Sequence, residues 1–226
     1  MIEDRPYLNR AEAGRILAGQ VRERAETADA VVLALPRGGV PVAFEVARAL
    51  DAPLDVFVVR KLGVPDQPEL AMGAIASGGV RIVNESIVDG LRIPEKAIAA
   101  VARREEAELT RREKSYRGER LPAVLSGRTV ILIDDGLATG STMRAAIAAI
   151  RRHGPRRLIV AVPVGAKDTC DELAAEVDAL ICPLQPEMFV TVGAWYEDFS
   201  QTSDEEVHEL LASAPHGQDA PSDRGR

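Results

Sequence analysis

Apolar and polar residues follow one another along the chain in short blocks whose spacing predicts alternating strands and helices. Residues 9–26 place Ala13, Ile16, Leu17 and Val21 on one face, the spacing of an amphipathic helix. Residues 30–35 are wholly apolar and read as a short buried strand, broken by Pro36-Arg37-Gly38-Gly39. A helix is expected at 40–50, with Pro41 in its first turn, where the ring is tolerated. A strand follows at 54–60. Two runs, 71–76 and 80–84, flank Ser77-Gly78-Gly79 and read as a β-hairpin. A long charged helix is expected at 94–114, with Ile98, Val101 and Leu109 on its packing face. The remaining pattern predicts a strand at 128–134 and a helix at 140–153 closed by Gly154-Pro155. A strand at 157–164, a helix at 168–176, a strand at 178–183 and a helix at 204–212 complete it. From 215 onward the chain is polar, and this tail is expected to be disordered.

Short aliphatic strands alternating with helices predict an α/β fold with a mostly parallel central sheet flanked by helices. The chain has 226 residues, 46% of them hydrophobic, enough for one sizeable core, so residues 1–214 are expected to form a single domain. A net charge of −7 argues against nucleic acid or an anionic membrane as the main partner. The first ten residues are charged and lack an apolar signal core. No apolar run approaches the ~18 residues of a membrane span. The expectation is a cytoplasmic protein. Cys170 and Cys182 match no zinc or disulfide spacing, and His153, His208 and His216 are scattered.

Chemistry concentrates where strands hand over to helices. In residues 130–142, VILIDDGLATGST, an apolar strand delivers Asp134 and Asp135 to its carboxyl end. A loop of small polar residues then opens a helix. Amides at such a helix start, with the Thr139, Ser141 and Thr142 hydroxyls, make an anion site. Carboxylates beside a phosphate would repel it, unless they face hydroxyls, a metal ion or a developing cation. A sugar phosphate resolves the conflict. Turn-forming aspartates and a capped helix start are the plain alternative for either feature alone. The segment has neither GKS/GKT nor GxGxxG, so it is neither a Walker A loop nor a dinucleotide fingerprint. Arg37, Gly38 and Gly39 supply a second anion loop, with amides that a ligand can approach closely and a forked cation.

Residues 130–142 resemble the phosphoribosyl pyrophosphate (PRPP) motif of type I phosphoribosyltransferases, with Thr139-Gly140-Ser141-Thr142 as its Thr-Gly-x-Thr ending. The likeness extends over residues 30–185, with PRGG in the place of the pyrophosphate loop. It also extends to a bacterial subgroup known as predicted phosphoribosyltransferases. It implies the type I phosphoribosyltransferase fold, with a β-hairpin or flexible loop and a small C-terminal hood. The implied activity is transfer of ribose 5-phosphate from PRPP to a nitrogen acceptor, a nucleobase by preference, with release of pyrophosphate. It implies that Asp134 and Asp135 hold the ribose hydroxyls and that Leu137, Ala138, Thr139, Gly140, Ser141 and Thr142 hold the 5′-phosphate. Arg37, Gly38 and Gly39 would hold pyrophosphate, with a non-proline cis peptide at Pro36-Arg37 or Arg37-Gly38. Mg²⁺ would arrive on the pyrophosphate, with Asp134 and Asp135 as its available protein ligands.

Lys61 is the candidate second cation for the leaving group, a solvated strand-end lysine being the alternative. The closing loop is assigned to residues 103–118, with Arg112, Tyr116 and Arg117 as its functional side chains. The alternative there is a solvated charged helix with Tyr116 packing its end. Hood elements are expected at 61–76 and 183–201. Phe189, Trp195 and Tyr196 would stack a planar acceptor, and Phe199 would pack the last helix. Ala138 stands where 6-oxopurine enzymes carry an aspartate for the purine N7, which argues against hypoxanthine, guanine and xanthine. A silent PRPP- or nucleotide-binding regulator is the other reading. Dimers are common among related enzymes, so a homodimer is the assembly that analogy suggests.

Overall fold

The structure, a computed structural model, describes residues 5–25 and 27–215; the tail expected to be disordered lies, from 216 on, outside the described residues. Five strands, β1 (Ala30–Ala34), β2 (Leu54–Val56), β6 (Thr129–Ile133), β7 (Arg157–Ala161) and β8 (Ala179–Ile181), form one parallel sheet in the order β2-β1-β6-β7-β8. Their residues alternate between two apolar clusters. Val32, Ala34, Ile131, Ile133, Ile159 and Ala161 face one side, where α1 (Arg10–Arg24), α2 (Gly39–Leu50), α4 (Glu95–Arg117) and α7 (Asp204–Ser213) pack. Val31, Leu33, Val130, Leu132, Leu158 and Val160 face the other, under α5 (Ser141–Arg152) and α6 (Lys167–Ala174). Burial on both faces explains why these strands are continuously aliphatic. Each such side chain contributes roughly 1.5–3 kcal/mol.

The strand expected at 54–60 is two strands. After β2 the chain leaves the parallel sheet and enters an antiparallel one, β3 (Val59–Val64), β4 (Gln67–Ala76) and β5 (Val80–Val83), in the order β3-β4-β5. The expected hairpin over 71–84 is therefore its second half. The first hood element expected at 61–76 lies in this sheet. Gly63 sits at a register irregularity between β3 and β4, where a Cβ would come within 2.6 Å of the Pro68 carbonyl oxygen. A short helix, α3 (Glu85–Gly90), capped by Asn84, was not expected.

Residues 103–117 are helix rather than loop. Ile98, Ala102, Leu109 and Tyr116 bury one stripe of α4, while Glu108 bonds Arg111 and Arg112 on the outer face. Arg117 is drawn inward and gives 2.7 Å bonds to Asp55 and to the Val56 carbonyl, with Glu113 at 3.0 Å. Arg112, Tyr116 and Arg117 thus lie on a packed helix in this structure. No helix of the described residues is long and apolar enough to cross a membrane.

Candidate active site

In the parallel sheet, β1 turns outward to β2 and β6 outward to β7, so the strand order reverses between β1 and β6. Such a switch point opens a crevice beyond the carboxyl ends of the strands. Both anion loops emerge there. PRGG follows β1, DDGLATGST follows β6, and Ala34 lies opposite Ile133 in register. The two loops touch: a Cβ on Gly38 would lie 2.0 Å from Asp135 Oδ2, and one on Gly39 would lie 2.9 Å from the Asp134 Cα. Only glycine permits that approach. The Pro36-Arg37 peptide is cis, at one of the two positions expected.

Asp134 accepts a 2.9 Å bond from the Asp135 amide. Burial, and then the neighbouring Asp135 charge, hold the Asp134 carboxyl well above the usual carboxylate range. Burial also raises Asp135, against the opposing pull of Arg10. Arg10 places both Nε and Nη2 at 2.8 Å from Asp135 Oδ2 and gives a third bond, 2.7 Å, to the Ser200 carbonyl. Its guanidinium lies 4.0 Å from the Phe199 ring centre. No local motif singled out Arg10. It lies one residue past the Asn9 cap of α1, and its partners are 125 and 190 residues away.

The loop after β6 is held from below. Leu137 is buried, and its amide and carbonyl are taken by Val164 and Ala166. It forms the floor of the loop, and its backbone groups are already paired. Thr169 bonds the Ala138 carbonyl at 2.7 Å. Gly140 begins α5 with φ 71° and no side-chain cap, leaving the amides of the first turn without an internal acceptor.

Arg37 lies 3.6 Å from Asp204 Oδ1, the oxygen that also accepts the Tyr116 hydroxyl at 3.1 Å. Tyr116 is therefore a core side chain that reaches Arg37 only through Asp204. Lys61 is exposed on β3, opposite Ala74, and no described contact joins it to the acidic pair.

The C-terminal hood has its own small core. Phe189, Trp195 and Tyr196 gather with Tyr7, Val164 and Leu184. Tyr196 is buried against Tyr7 and donates a 2.5 Å bond to the Asp135 carbonyl, so it braces the acidic pair instead of presenting a stacking face. Val192 presses on Gly136, where a Cβ would meet it at 2.4 Å. Phe199, expected to pack inward, is instead 37% exposed beneath Arg10. The N-terminal segment ties the hood down, the Tyr7 amide bonding the Trp195 carbonyl and the Asp198 amide the Leu8 carbonyl, both at 2.9 Å.

Two glycine-bearing loops around an acidic pair, at the switch point of a parallel sheet, place the chain among the α/β proteins whose ligand crevice lies beyond the carboxyl ends of the strands. Sequence comparison makes it specific: residues 6–193 match the phosphoribosyl transferase domain, and the chain belongs to that family. It is 48% identical over 206 residues to the Mycobacterium tuberculosis protein named "Putative phosphoribosyl transferase Rv0571c"; the match covers 91% of this chain and 46% of that one. The chain thus spans about half the length of the curated relatives it matches first. Of solved structures, TT1426 from Thermus thermophilus is 39% identical, with a TM-score of 0.80 over 91% of this chain and 97% of that one. The bifunctional protein PyrR of Brevibacillus brevis is 29% identical over 119 residues, 50% of this chain and 65% of its own length.

Proposed function

We propose that the chain transfers the ribose 5-phosphate group of PRPP to a nitrogen acceptor and releases pyrophosphate. The contact between PRGG and the acidic pair carries this reading. It brings a cationic, glycine-lined anion loop against carboxylates that have a second anion loop on their other side. The 5′-phosphate would rest on the amides of residues 138–142. Asp134 and Asp135 would accept the ribose hydroxyls and stabilise the positive charge that develops on the ring. Arg37, Gly38 and Gly39 would hold the departing pyrophosphate. Lys61 would have to be brought in by movement of the β3–β4 hairpin.

Mg²⁺ suits this donor set. Asp134 and Asp135 are hard oxygen donors, and no group of three or more His, Cys, Asp or Glu among the described residues could hold an ion alone. That fits an ion whose other ligands are phosphate oxygens and water. When bound, it neutralises charge on the leaving group. Ala138 leaves no carboxylate for a purine N7, which disfavours 6-oxopurines as acceptors.

Pyrophosphate release from Mg·PRPP, measured across purines, pyrimidines, small aromatic amines and ammonia, tests the reading. Release with one acceptor, lost in Asp134→Asn/Asp135→Asn while the fold is kept, supports it. Full activity in that double variant refutes it. A second reading, PRPP binding without turnover, is favoured by Arg10, which occupies the Asp135 oxygen that a ribose hydroxyl would use. It predicts PRPP binding with no pyrophosphate released for any acceptor.

A further inference from the structure

The transferase reaction asks for a second cation at the leaving group, and Lys61 does not supply it in this structure. Lys61 is exposed on β3, and no described contact joins it to the acidic pair. Arg37 is shared with Asp204 at 3.6 Å. Pyrophosphate gains negative charge as it departs, so one shared arginine beside two carboxylates is a poor match for it.

Arg10 stands where that cation is needed. Its Nε and Nη2 both lie 2.8 Å from Asp135 Oδ2, the oxygen that a Cβ on Gly38 would meet at 2.0 Å. The guanidinium and the PRGG loop therefore flank one carboxylate oxygen. A cavity of about 250 Å³ opens beside Arg10 and reaches Pro41 in the first turn of α2, the helix that follows PRGG. Asp198 and Glu206 also line it, which keeps the arginine's charge matched as it moves. Nη1 bonds the Ser200 carbonyl at 2.7 Å, and the guanidinium lies 4.0 Å from the Phe199 ring centre, so the group can pivot about a held edge. Ribose hydroxyls would compete with two Arg10 N–H groups for Asp135 Oδ2. A ligand with hydroxyls alone must displace Arg10 with nothing to receive it. A ligand that also brings anionic oxygens to PRGG offers the displaced fork a charge-assisted partner.

We propose that Arg10 is the second cation of the leaving group, passing from Asp135 to the pyrophosphate group as PRPP binds; this rests on the transferase reading above. As the bond from ribose C1 to the pyrophosphate oxygen breaks, its electron pair stays on that oxygen, beside Arg10. The acceptor nitrogen bonds C1 and releases its proton to solvent. Calorimetry on the full chain with PRPP and with ribose 5-phosphate, both in Mg²⁺ buffer without acceptor, tests the exchange.

Arg10→Gln should weaken PRPP binding about tenfold and leave ribose 5-phosphate binding equal or tighter. Arg10→Lys keeps the charge and loses the fork. It should show a smaller change in the same direction, and it serves if the glutamine variant does not fold. In the parent carrying ¹⁵N-arginine, the Arg10 Nε resonance, assigned through either variant, should shift saturably with PRPP. Equal weakening of both ligands makes Arg10 a brace of Asp135 and overturns the proposal. So does unchanged PRPP affinity, or an Nε resonance that stays in place at saturating PRPP. In each of those cases the parent still binds PRPP and the transferase reading stands. A parent that binds no PRPP overturns that reading and this inference with it.

Discussion

Replacing Arg10 by glutamine tests how Asp135 is kept charged. The Arg10 and Asp135 side chains are only 11% and 15% exposed, and two 2.8 Å contacts converge on one carboxylate oxygen. Breaking a fully buried pair from one side costs about 3–5 kcal/mol, because a charge is left unmatched. Residual solvent access lowers that here to about 2–3 kcal/mol, or a fall in Tm of roughly 5–10 °C for a chain of this size. Asp135→Asn alone has no fixed sign, because it also relieves Asp134. Urea unfolding of the parent, both single variants and the double variant removes that ambiguity.

The expected coupling is about 2 kcal/mol at neutral pH. The double variant should recover much of the loss, since an absent pair costs less than half a pair. The coupling also has a pH signature. It needs Asp135 ionised, and burial raises that carboxyl. It should therefore fade as pH falls through a value above the roughly 3.9 of a free aspartate. Additivity within about 0.5 kcal/mol at neutral pH, or a coupling that does not change on acidification, refutes the reasoning.

Three further outcomes are expected. Asp134 binds its proton more tightly folded than unfolded, so stability declines as pH rises from about 3.9 through its raised native value. Asp134→Asn should consequently raise Tm at neutral pH while abolishing turnover, and calorimetry should find no gain below a pH of about 3.9. Arg117→Met should destabilise by about 3–5 kcal/mol, read by urea unfolding, because it strands Asp55 and the Val56 carbonyl. Arg112→Ala, on the outer face of α4, should leave the midpoint unchanged, whereas a lid would show the reverse pattern, losing turnover and not stability. Asp204→Ala should free Arg37 and tighten pyrophosphate binding by up to about fivefold in calorimetry, the limit for so exposed a pair.

The strands and the two loops that follow β1 and β6 were legible because burial on both sheet faces demands continuous aliphatic runs, and an acidic pair joined to a small-residue helix start is more specific than either feature alone. The break after β2 was not, since Leu54 to Arg60 is apolar enough to be one strand and only the sheet around it decides where pairing changes. Residues 103–118 carried a charge pattern that suits either a lid or a solvated helix. Ion pairs such as Glu108–Arg112 and the inward stripe through Leu109 and Tyr116 favour the helix. Arg10, Tyr196 and Phe199 were hidden or misread for a different reason. Their roles depend on bringing residues 7–10 against residues 195–200, and no local spacing encodes that.

That meeting of distant segments has a consequence for how the protein is made. Residues 30–161 contain every strand at the switch point and can pair as they leave the ribosome. Arg10 precedes all of these strands in sequence but bonds the Ser200 carbonyl, and Tyr7 bonds Trp195. Until residues 195–200 have been synthesised, Arg10 lacks the Ser200 carbonyl that helps to orient it and Asp135 lacks the Tyr196 hydroxyl, so a nascent chain halted before residue 195 holds both loops without the C-terminal groups that brace Asp135.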